Sequence, residues 1–343
     1  MPLINQFNKS FSISVVLPTW NRIERIKKCL PTFLATKVQD VQFIIIDNNS
    51  DDGTWDYLQS VALKDNRVEI HRNSQNIEGR TIFRGYCSVK SSYVLFLADD
   101  DMMEGDYIAR CLEIFQKHDD VGLVHHFLGG YKTQQKFFNK PYSIYSKGTE
   151  SITSLFMISG SYPGLAFRMK NYDLKNYPLG EKVRYPQTKI ALEIASKHNT
   201  ALIHDCGFIS SGFEDTFLDN KKIQNRPDDM GINERLSYLL SIKNPILIQK
   251  LAMQLAGWSI EVFEDIEKLN PKEAKKLVKS LVFSLNNVTP YFIILLFKIK
   301  KFKYGIFSLI CLIAKPSFLL NYIWFLMMIV DKIFTKIKTH KKN

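Results

Sequence analysis

The sequence of 343 residues is 45% hydrophobic and 13% aromatic, which supplies enough apolar surface for a buried core and excludes a disordered chain. Its formal net charge of +12 is concentrated at one end, because ten lysines and a single aspartate lie between residues 291 and 343. These lysines are interleaved with long apolar runs, which disfavours nucleic acid as a partner and favours an anionic membrane surface.

The first 127 residues alternate apolar runs typical of strands with patterns typical of helices. Each strand-like run is almost continuously apolar, as in parallel sheets covered by helices on both faces. The sequence therefore predicts an α/β fold with a mostly parallel, Rossmann-like sheet flanked by helices. Predicted strands cover residues 13–17, 41–46, 67–71, 93–97 and 121–127, and predicted helices cover residues 22–36, 51–63 (with Ser50 as its cap), 79–90 and 105–117.

Beyond residue 127 the pattern changes. Residues 130–215 are less regular, whereas residues 230–285 are predicted to be helical, at 234–242, 246–266 and 271–285. The basic end of the chain carries three apolar stretches, each shorter than the roughly 20 residues of a straightforward transmembrane helix, so we expect interfacial helices or a re-entrant hairpin there. These stretches are residues 291–297, 304–314 and 317–330.

The five cysteines include no CxxC pair, which predicts a reducing compartment with neither a disulfide framework nor a zinc site. The first apolar stretch, residues 11–17, is interrupted by serines and does not fit a secretory signal. Together with the basic tail, these features predict a location on the cytoplasmic face of the cell membrane.

Polar residues follow the predicted strands at the points where the strands end. They form the segments 18–22, 47–54, 72–73 and 99–101. In open α/β sheets, ligands bind beyond the carboxyl ends of the strands. The sequence therefore predicts one crevice that collects all four segments.

Three adjacent carboxylates, Asp99, Asp100 and Asp101, follow the fourth predicted strand. Like charges at this spacing repel one another, and a divalent cation would remove the repulsion. Hard oxygen ligands suit Mg²⁺ or Mn²⁺, which also bridge phosphate oxygens. The alternative is a solvated acidic turn that caps the helix beginning near Glu104.

Asp47 ends the second predicted strand and could accept a hydrogen bond from a pyrimidine base. The alternative is an Asx turn leading into a helix cap. The segment 18–22 has a similar alternative, which is an ordinary turn between a strand and a helix.

Four motifs follow one another with the order and spacing of a known family, and together they resemble the family 2 glycosyltransferases. The resemblance covers about residues 10–130 closely and continues loosely to about residue 215. It implies a GT-A fold and inverting transfer of a sugar from a nucleoside-diphosphate sugar. The motifs are Val15-Val-Leu-Pro-Thr-Trp-Asn-Arg22, Ile45-Ile-Asp-Asn-Asn-Ser-Asp-Asp-Gly-Thr54, Asn73-Ser-Gln-Asn-Ile-Glu-Gly79 and Tyr93-Val-Leu-Phe-Leu-Ala-Asp-Asp-Asp101.

The resemblance also implies roles for individual residues of the donor site. Asp99 and Asp101 would hold the sugar and a Mn²⁺ or Mg²⁺ ion, with Asp100 as a substitute ligand, although Ala98 stands where many members have the first aspartate of the acidic motif. Asp47 would bind the base. The remaining residues are Pro18, Thr19, Asn21 and Arg22 lining the nucleotide pocket, Asn76 and Gly79 in the loop beneath the nucleotide, and Arg80 or Arg84 near the diphosphate.

The catalytic base is harder to assign. The family commonly places Glu-Asp at the start of a helix in the acceptor half, and here Pro186-Gln187 stands in that place. Gln187 cannot abstract a proton but could orient an acceptor. Asp215 is the candidate base. The other candidates, each with a structural alternative, are Glu214, Asp173, Glu193, His125 and His126; Ser161-Tyr162-Pro163-Gly164 and Phe167-Arg168 resemble an acceptor-side loop, with a structural turn as the alternative.

The predicted organisation is a glycosyltransferase domain at 1–215, divided into a nucleotide-binding half at 1–105 and an acceptor half at 106–215. A helical region at 216–285 and a membrane-associated tail at 286–343 follow. The expected acceptor is a glycan or a polyprenyl-diphosphate-linked oligosaccharide in cell-surface polysaccharide synthesis. The alternatives are a catalytically inactive membrane-bound scaffold that binds nucleotide sugars and a nucleotidyltransferase, although the segment 18–22 lacks the Gly-rich loop of the latter class.

Overall fold

The computed structural model describes residues 11–103, 105–126, 140–159, 163–172, 186–204 and 208–210, and scattered positions between 235 and 254. The chain divides into two compact units, Met1–Asn220 and Lys221–Asn343. The domain boundaries predicted after residues 105, 215 and 285 remain predictions.

Ten strands and six α-helices lie in the described part of the first unit. The strands are β1 (Ile13–Thr19), β2 (Val41–Asp47), β3 (Val68–Arg72), β4 (Tyr93–Phe96), β5 (Asp101–Met103), β6 (Val121–His126), β7 (Tyr142–Tyr145), β8 (Leu165–Arg168), β9 (Asn199–Ile203) and β10 (Phe208–Ser210). The helices are α1 (Ile23–Leu34), α2 (Thr54–Ala62), α3 (Thr81–Cys87), α4 (Tyr107–Lys117), α5 (Thr149–Leu155) and α6 (Pro186–Lys197), with 3₁₀ turns at Glu78–Arg80 and Met169–Asn171.

Within the described residues, eight strands form one sheet in the order β3-β2-β1-β4-β8-β6-β9-β7, and β5 pairs with β10 in a separate ribbon. The first four strands are parallel to one another. Strands β8 and β7 run antiparallel to their neighbours, whereas β6 and β9 are parallel to each other. The predicted α/β fold with a mostly parallel sheet flanked by helices is confirmed.

The sheet is apolar on both faces because helices cover both. Val15 and Leu17 of β1 belong to the same buried cluster as residues of α1 and α4, including Phe33 and Phe115. The intervening Val16 points to the opposite face, where Gly85 of α3 packs so closely that an added Cβ would collide with it. Burial on both faces explains why β1, β2 and β4 lack polar alternation.

Two sequence predictions about this unit need correction. Ser50 does not cap the second helix, because α2 begins only at Thr54, after Gly53 with a φ of +91°. Residues 130–215 are more regular than expected, since they contain β7 to β10, α5 and α6. These strands have three to five residues each, which is too short to give a clear periodicity.

The second unit is described only at isolated positions. Residues 235, 238, 241, 246–248, 250, 251 and 254 are helical, within the helices predicted at 234–242 and 246–266. The helix predicted at 271–285 and the tail at 286–343 lie outside the described residues. No helix in the described part of the chain is both long enough and apolar enough to cross a membrane.

Candidate active site at the strand ends

The carboxyl ends of β1, β2, β3 and β4 meet at one edge of the sheet. In the register of the parallel strands, Thr19 pairs with Asp47, and Asp47 pairs with Arg72. On the other side of β1, Val16 pairs with Phe96, three residues before Asp99. The four polar segments are therefore adjacent in space, as the sequence predicted.

The loops after β1 and β2 are joined by reciprocal hydrogen bonds around Asn21. Its side-chain amide donates to Asp51 Oδ1 at 2.8 Å, and the Asp51 amide donates back to Asn21 Oδ1 at 2.9 Å. Its backbone amide donates to Ser50 Oγ at 2.9 Å. Asn21 has a φ of +51°, a conformation that asparagine tolerates better than most residues. The turn at residues 18–22 is thus part of a rigid two-loop unit.

Asp52 holds the first turns of two helices, a role that the sequence did not reveal. One carboxylate oxygen accepts from the Ile23 amide at 3.0 Å, where α1 begins. The other accepts from the Thr54 amide at 3.0 Å and from its hydroxyl at 2.6 Å, where α2 begins. Although burial raises the pKa of Asp52, these hydrogen bonds lower it below the ordinary value of 3.8 on balance.

Arg22 binds residues 99–101, hereafter the acidic segment, directly. One of its terminal nitrogens lies 2.6 Å from Asp99 Oδ1 and 2.7 Å from Asp100 Oδ2, and Arg25 lies 3.7 Å from the same Asp100 oxygen. The following helix, α4, is capped by Asp106, whose side chain accepts from the Ala109 amide. The interpretation of Asp99–Asp101 as a helix cap is therefore wrong. The segment instead faces the turn at residues 18–22, hereafter the nucleotide-side turn.

Burial and mutual repulsion shape the electrostatics of the acidic segment. Burial raises the pKa of Asp99, and the nearby Arg22 only partly offsets this. Burial, followed by the charges of Asp100 and Asp99, raises the pKa of Asp101 to about 7. The charge of Asp99 in turn raises the pKa of Arg22. Burial and the neighbouring carboxylates therefore oppose simultaneous ionisation of Asp99 and Asp101.

The chemistry of this donor set fits a hard divalent cation, because carboxylate oxygens crowded in a buried position are stabilised by one. Asp99 and Asp101 are the residues that would hold it. Within the described residues, no group of three His, Cys, Asp or Glu side chains is placed around a common point for a metal. Arg22 instead occupies one oxygen each of Asp99 and Asp100.

Asp47, the predicted base-binding residue, is fully buried beneath the β2–α2 loop. Its carboxylate accepts from the Ser50 amide at 3.2 and 3.3 Å and lies 3.2 Å from Arg72 Nε. Arg72 also donates to the Ser50 carbonyl at 2.6 Å and lies over the ring of Trp55. The sequence places Arg72 in the crevice without indicating its role, and the structure makes it the partner of Asp47.

The predicted loop beneath the nucleotide is tied to β2 through Asn48. The side-chain nitrogen Nδ2 of Asn48 donates to Asn76 Oδ1 at 2.7 Å. Its side-chain oxygen Oδ1 accepts from Asn73 Nδ2 at 2.8 Å and from the Ile77 backbone amide at 3.0 Å. Arg84 donates to the Asn73 side chain. Gly79 and Arg80 follow in a 3₁₀ turn, with Arg80 Nε 3.3 Å from the Ile77 carbonyl. Arg80 and Arg84 both present exposed side chains.

On the acceptor side, Pro186 and Gln187 form the first turn of α6, the position expected from the resemblance. Gln187 is fully buried. Glu193 lies on the surface of α6, 3.8 Å from Lys189, which fits the surface-charge alternative. Asp215, Glu214 and Asp173 lie outside the described residues.

The structure also bears on the loop predicted at Phe167-Arg168 and on the candidate bases His125 and His126. Phe167 and Arg168 do not lie in a loop but in β8, and Arg168 is buried against the backbone carbonyls of Val121, Phe115 and His118. His125 and His126 are buried at the end of β6 and bonded to backbone groups, which favours the structural alternative for both.

Comparison with known proteins gives consistent matches. Residues 14–173 match the model of Glycosyl transferase family 2. An uncharacterized glycosyltransferase of Nostoc sp. strain PCC 7120 is 26% identical over 164 residues, which are 46% of this chain and 50% of that protein. Glycosyltransferase GlyG of Streptococcus pneumoniae is 24% identical over 108 residues, 31% of this chain and 36% of that protein. The matches thus span half or less of the length of these relatives.

Among solved structures, S. aureus TarS 1-349 superposes with a TM-score of 0.57 at 14% identity, covering 82% of this chain and 81% of that chain. At this identity the likeness shows the fold alone, which is an α/β GT-A fold with a mixed, mostly parallel sheet. The strand-end crevice and the four motifs fall inside the segment that the family model matches. Residues 14–173 of this chain, just under half of its length, are thus similar to Glycosyl transferase family 2.

Proposed function

We propose that this protein transfers a sugar, with inversion, from a nucleoside-diphosphate sugar to a glycan or lipid-linked oligosaccharide. The observation that carries the proposal is the contact between Arg22 and the Asp99–Asp100 pair at the edge where β1, β2 and β4 end. It joins the nucleotide-side turn to the acidic segment within one crevice. Such a crevice at the carboxyl ends of parallel strands is where open α/β sheets bind ligands.

Each wall of the crevice supplies a part of the donor site. The Asn21–Asp51 pair fixes the turn that would contact the nucleotide, and the Asn48–Asn76 pair fixes the loop beneath it. Asp47 is fully buried, so Arg72, whose side chain is 38% exposed, would contact the base while Asp47 holds Arg72 in place. A divalent cation held by Asp99 and Asp101 would neutralise the charge that develops on the departing diphosphate.

We take a uridine nucleotide as the first donor to test. TarS has been solved in complexes with UDP and with UDP-GlcNAc, with TM-scores to this chain of 0.57 and 0.54. The exposed Arg72 guanidinium offers a donor, which a uracil carbonyl can match. A comparison of UDP with other nucleoside diphosphates tests this choice of base.

The acceptor hydroxyl needs a general base within hydrogen-bond reach. Gln187 cannot supply one and is buried. We propose Asp215, the candidate from the sequence, which lies outside the described residues. The presence of Gln187 where the family commonly has a carboxylate also favours one alternative function, a scaffold that binds nucleotide sugars without turning them over. Turnover separates the two functions, since only the enzyme releases nucleoside diphosphate.

The test is release of nucleoside diphosphate from a panel of UDP-, dTDP-, CDP- and GDP-sugars, with Mn²⁺ or Mg²⁺. We expect turnover of at least one donor by the wild type and its loss in the Asp99→Ala/Asp101→Ala double variant. Asp56→Ala, an exposed carboxylate at the start of α2, is the matched control and should retain turnover. Binding of a donor without turnover would support the scaffold instead.

We further propose that residues 286–343 hold the enzyme on the cytoplasmic face of the membrane, close to a polyprenyl-diphosphate-linked acceptor. The ten lysines of this tail support the proposal, since each contributes about 1 kcal/mol near an anionic surface. Deleting residues 286–343 should move the protein from the membrane fraction to the supernatant. A truncated protein that still sediments with membranes would remove the role of the tail.

A further inference from the structure

Residues 163–164, which lead into β8, lie directly beside β4, the strand that leads to the acidic segment. Gly164 donates its amide to the Phe96 carbonyl at 3.0 Å, which extends the antiparallel ladder in which Phe96 pairs with Leu165. Asp99 follows Phe96 by three residues. Pro163 and Gly164 therefore approach the acidic segment from the side of β4 opposite to β1.

Two buried side chains fix the carbonyls of this segment. Tyr107, the first residue of α4, donates its hydroxyl to the Gly164 carbonyl at 2.7 Å. His126, the last residue of β6, places Nε2 2.9 Å from the Pro163 carbonyl. Because a carbonyl only accepts, His126 must carry a proton on Nε2. The segment is thus held from β4, α4 and β6 at once.

Gly164 itself admits no side chain. Its φ of +85° lies in the region that favours glycine. A Cβ at this position would collide with the His126 ring and would lie 3.0 Å from the Phe208 ring. The close approach of the backbone to these two rings is therefore built into the sequence.

The same rings support the strand that carries Asp101. Phe208 contacts Tyr107 and His126, with ring centroids 4.9 and 5.2 Å apart. In the β5–β10 ribbon, Phe208 pairs with Met103 and Ser210 pairs with Asp101. The cluster of Tyr107, His126, Phe208 and Gly164, hereafter the Gly164 clamp, thus touches both the segment beside Asp99 and the ribbon that contains Asp101.

We infer that Tyr107 and His126 of the Gly164 clamp are positioning residues that set the acceptor side of the site relative to Asp99 and Asp101. The inference rests on the proposed function. The donor contacts of Arg22, Asn21 and Asn48 all lie on β1, β2 and the loops that follow them, whereas the clamp lies across β4. Within the described residues, the β8 side therefore offers an approach to the acidic segment that these donor contacts leave free, and the clamp fixes its backbone.

Tyr107→Phe is the sharpest test, because it removes one hydroxyl and keeps the ring. Transfer from UDP-GlcNAc to p-nitrophenyl glycosides should fall at least tenfold, since small misplacements at a reaction centre can lower rates about a hundredfold. The thermal shift caused by UDP and Mn²⁺ should stay within the wild-type range. Amide hydrogen exchange should accelerate at residues 163–165 and 101–103.

Tyr86→Phe is the matched control, because the buried Tyr86 also donates its hydroxyl to a carbonyl, that of Tyr172, but outside the clamp. It should leave transfer and the exchange of residues 101–103 unchanged. His126→Gln, which keeps a donor, should retain more transfer than His126→Leu. Equal losses in these two His126 variants would contradict a positioning role for the hydrogen bond.

The result separates the inference from the proposed function. Unchanged amide hydrogen exchange at residues 101–103 in Tyr107→Phe would overturn the inferred positioning role of the clamp. A loss of transfer in Tyr86→Phe equal to that in Tyr107→Phe would also overturn it. A wild type whose melting temperature responds to no nucleotide would instead overturn the proposed function. The exchange measurement would still decide whether the clamp orders the ribbon that carries Asp101.

Discussion

Replacing Arg22 by methionine removes the cation that holds the acidic segment to the nucleotide-side turn. The variant keeps the aliphatic stem but loses both charge-assisted hydrogen bonds, at 2.6 Å to Asp99 and 2.7 Å to Asp100. Asp99 is then left buried, and Arg25 remains 3.7 Å from its neighbour Asp100. We expect the variant to be less stable than the wild type.

The expected loss lies between two limits. Breaking a fully buried ion pair costs about 3–5 kcal/mol, whereas an exposed pair contributes about 0–1 kcal/mol. The Arg22 side chain is 35% exposed and the Asp99 side chain is 9% exposed, so we expect about 2 kcal/mol. For a unit of this size, that loss lowers the melting temperature by about 4–8 °C.

The assay is a thermal melt of wild type, Arg22→Met and Lys28→Met without metal and then with Mn²⁺. Lys28→Met makes the same charge change on an exposed position of α1 and should shift stability by less than about 0.5 kcal/mol. Mn²⁺ should stabilise Arg22→Met more than the wild type, because Arg22 no longer competes for the carboxylates. An Arg22→Met variant as stable as Lys28→Met, with an unchanged response to Mn²⁺, would refute this reasoning.

Three further substitutions test the packing around the site. Asp52→Ala uncaps α1 and α2 and should lower the free energy of unfolding by about 2 kcal/mol in urea titrations, whereas the exposed Asp56→Ala should have little effect. Arg168→Met leaves three buried carbonyls without their donor and should cost about 3 kcal/mol or more by the same measurement. Asn48→Asp turns the donor facing Asn76 into an acceptor, so UDP binding measured by calorimetry should weaken about tenfold or more while the fold persists.

Each of these three predictions has an outcome that contradicts it. Because the folded pKa of Asp52 is lowered, its contribution is complete above the ordinary value of 3.8 and is lost as the pH falls through the folded pKa. The gap between wild type and Asp52→Ala should therefore be constant above about pH 4 and shrink as the pH falls below 3.8, and a gap that grows would contradict the assignment. Full stability of Arg168→Met, or wild-type UDP affinity of Asn48→Asp, would refute the other two.

The first half of the fold follows from the sequence because its strands are long and apolar. Strands β1 and β2 each have seven residues and are buried almost throughout, so their runs are unmistakable and the polar segments after them mark one edge. Strand β8 has four residues and runs antiparallel between β4 and β6, which no local pattern reveals. Its Arg168 therefore resembled a loop residue.

For the donor site, the sequence predicts which strand ends are adjacent but not which side chains make contact. Spacing brought Arg22 and Asp99 to adjacent strand ends, but their direct contact joins residues 77 positions apart and depends on side-chain geometry. The helix caps were misassigned for a similar reason. Ser50 fits a cap by its residue type, yet its hydroxyl accepts from Asn21, and Asp52 binds both helix starts instead.

We propose that the strand-end crevice binds a nucleoside diphosphate through its acidic segment. A thermal-shift screen of UDP, dTDP, CDP and GDP with Mn²⁺ tests it most directly, since a ligand at a hundred times its dissociation constant stabilises by about 2.7 kcal/mol. We predict that at least one nucleotide raises the melting temperature of the wild type and not that of Asp99→Ala/Asp101→Ala. No shift with any nucleotide, or an equal shift in the double variant, would contradict the claim.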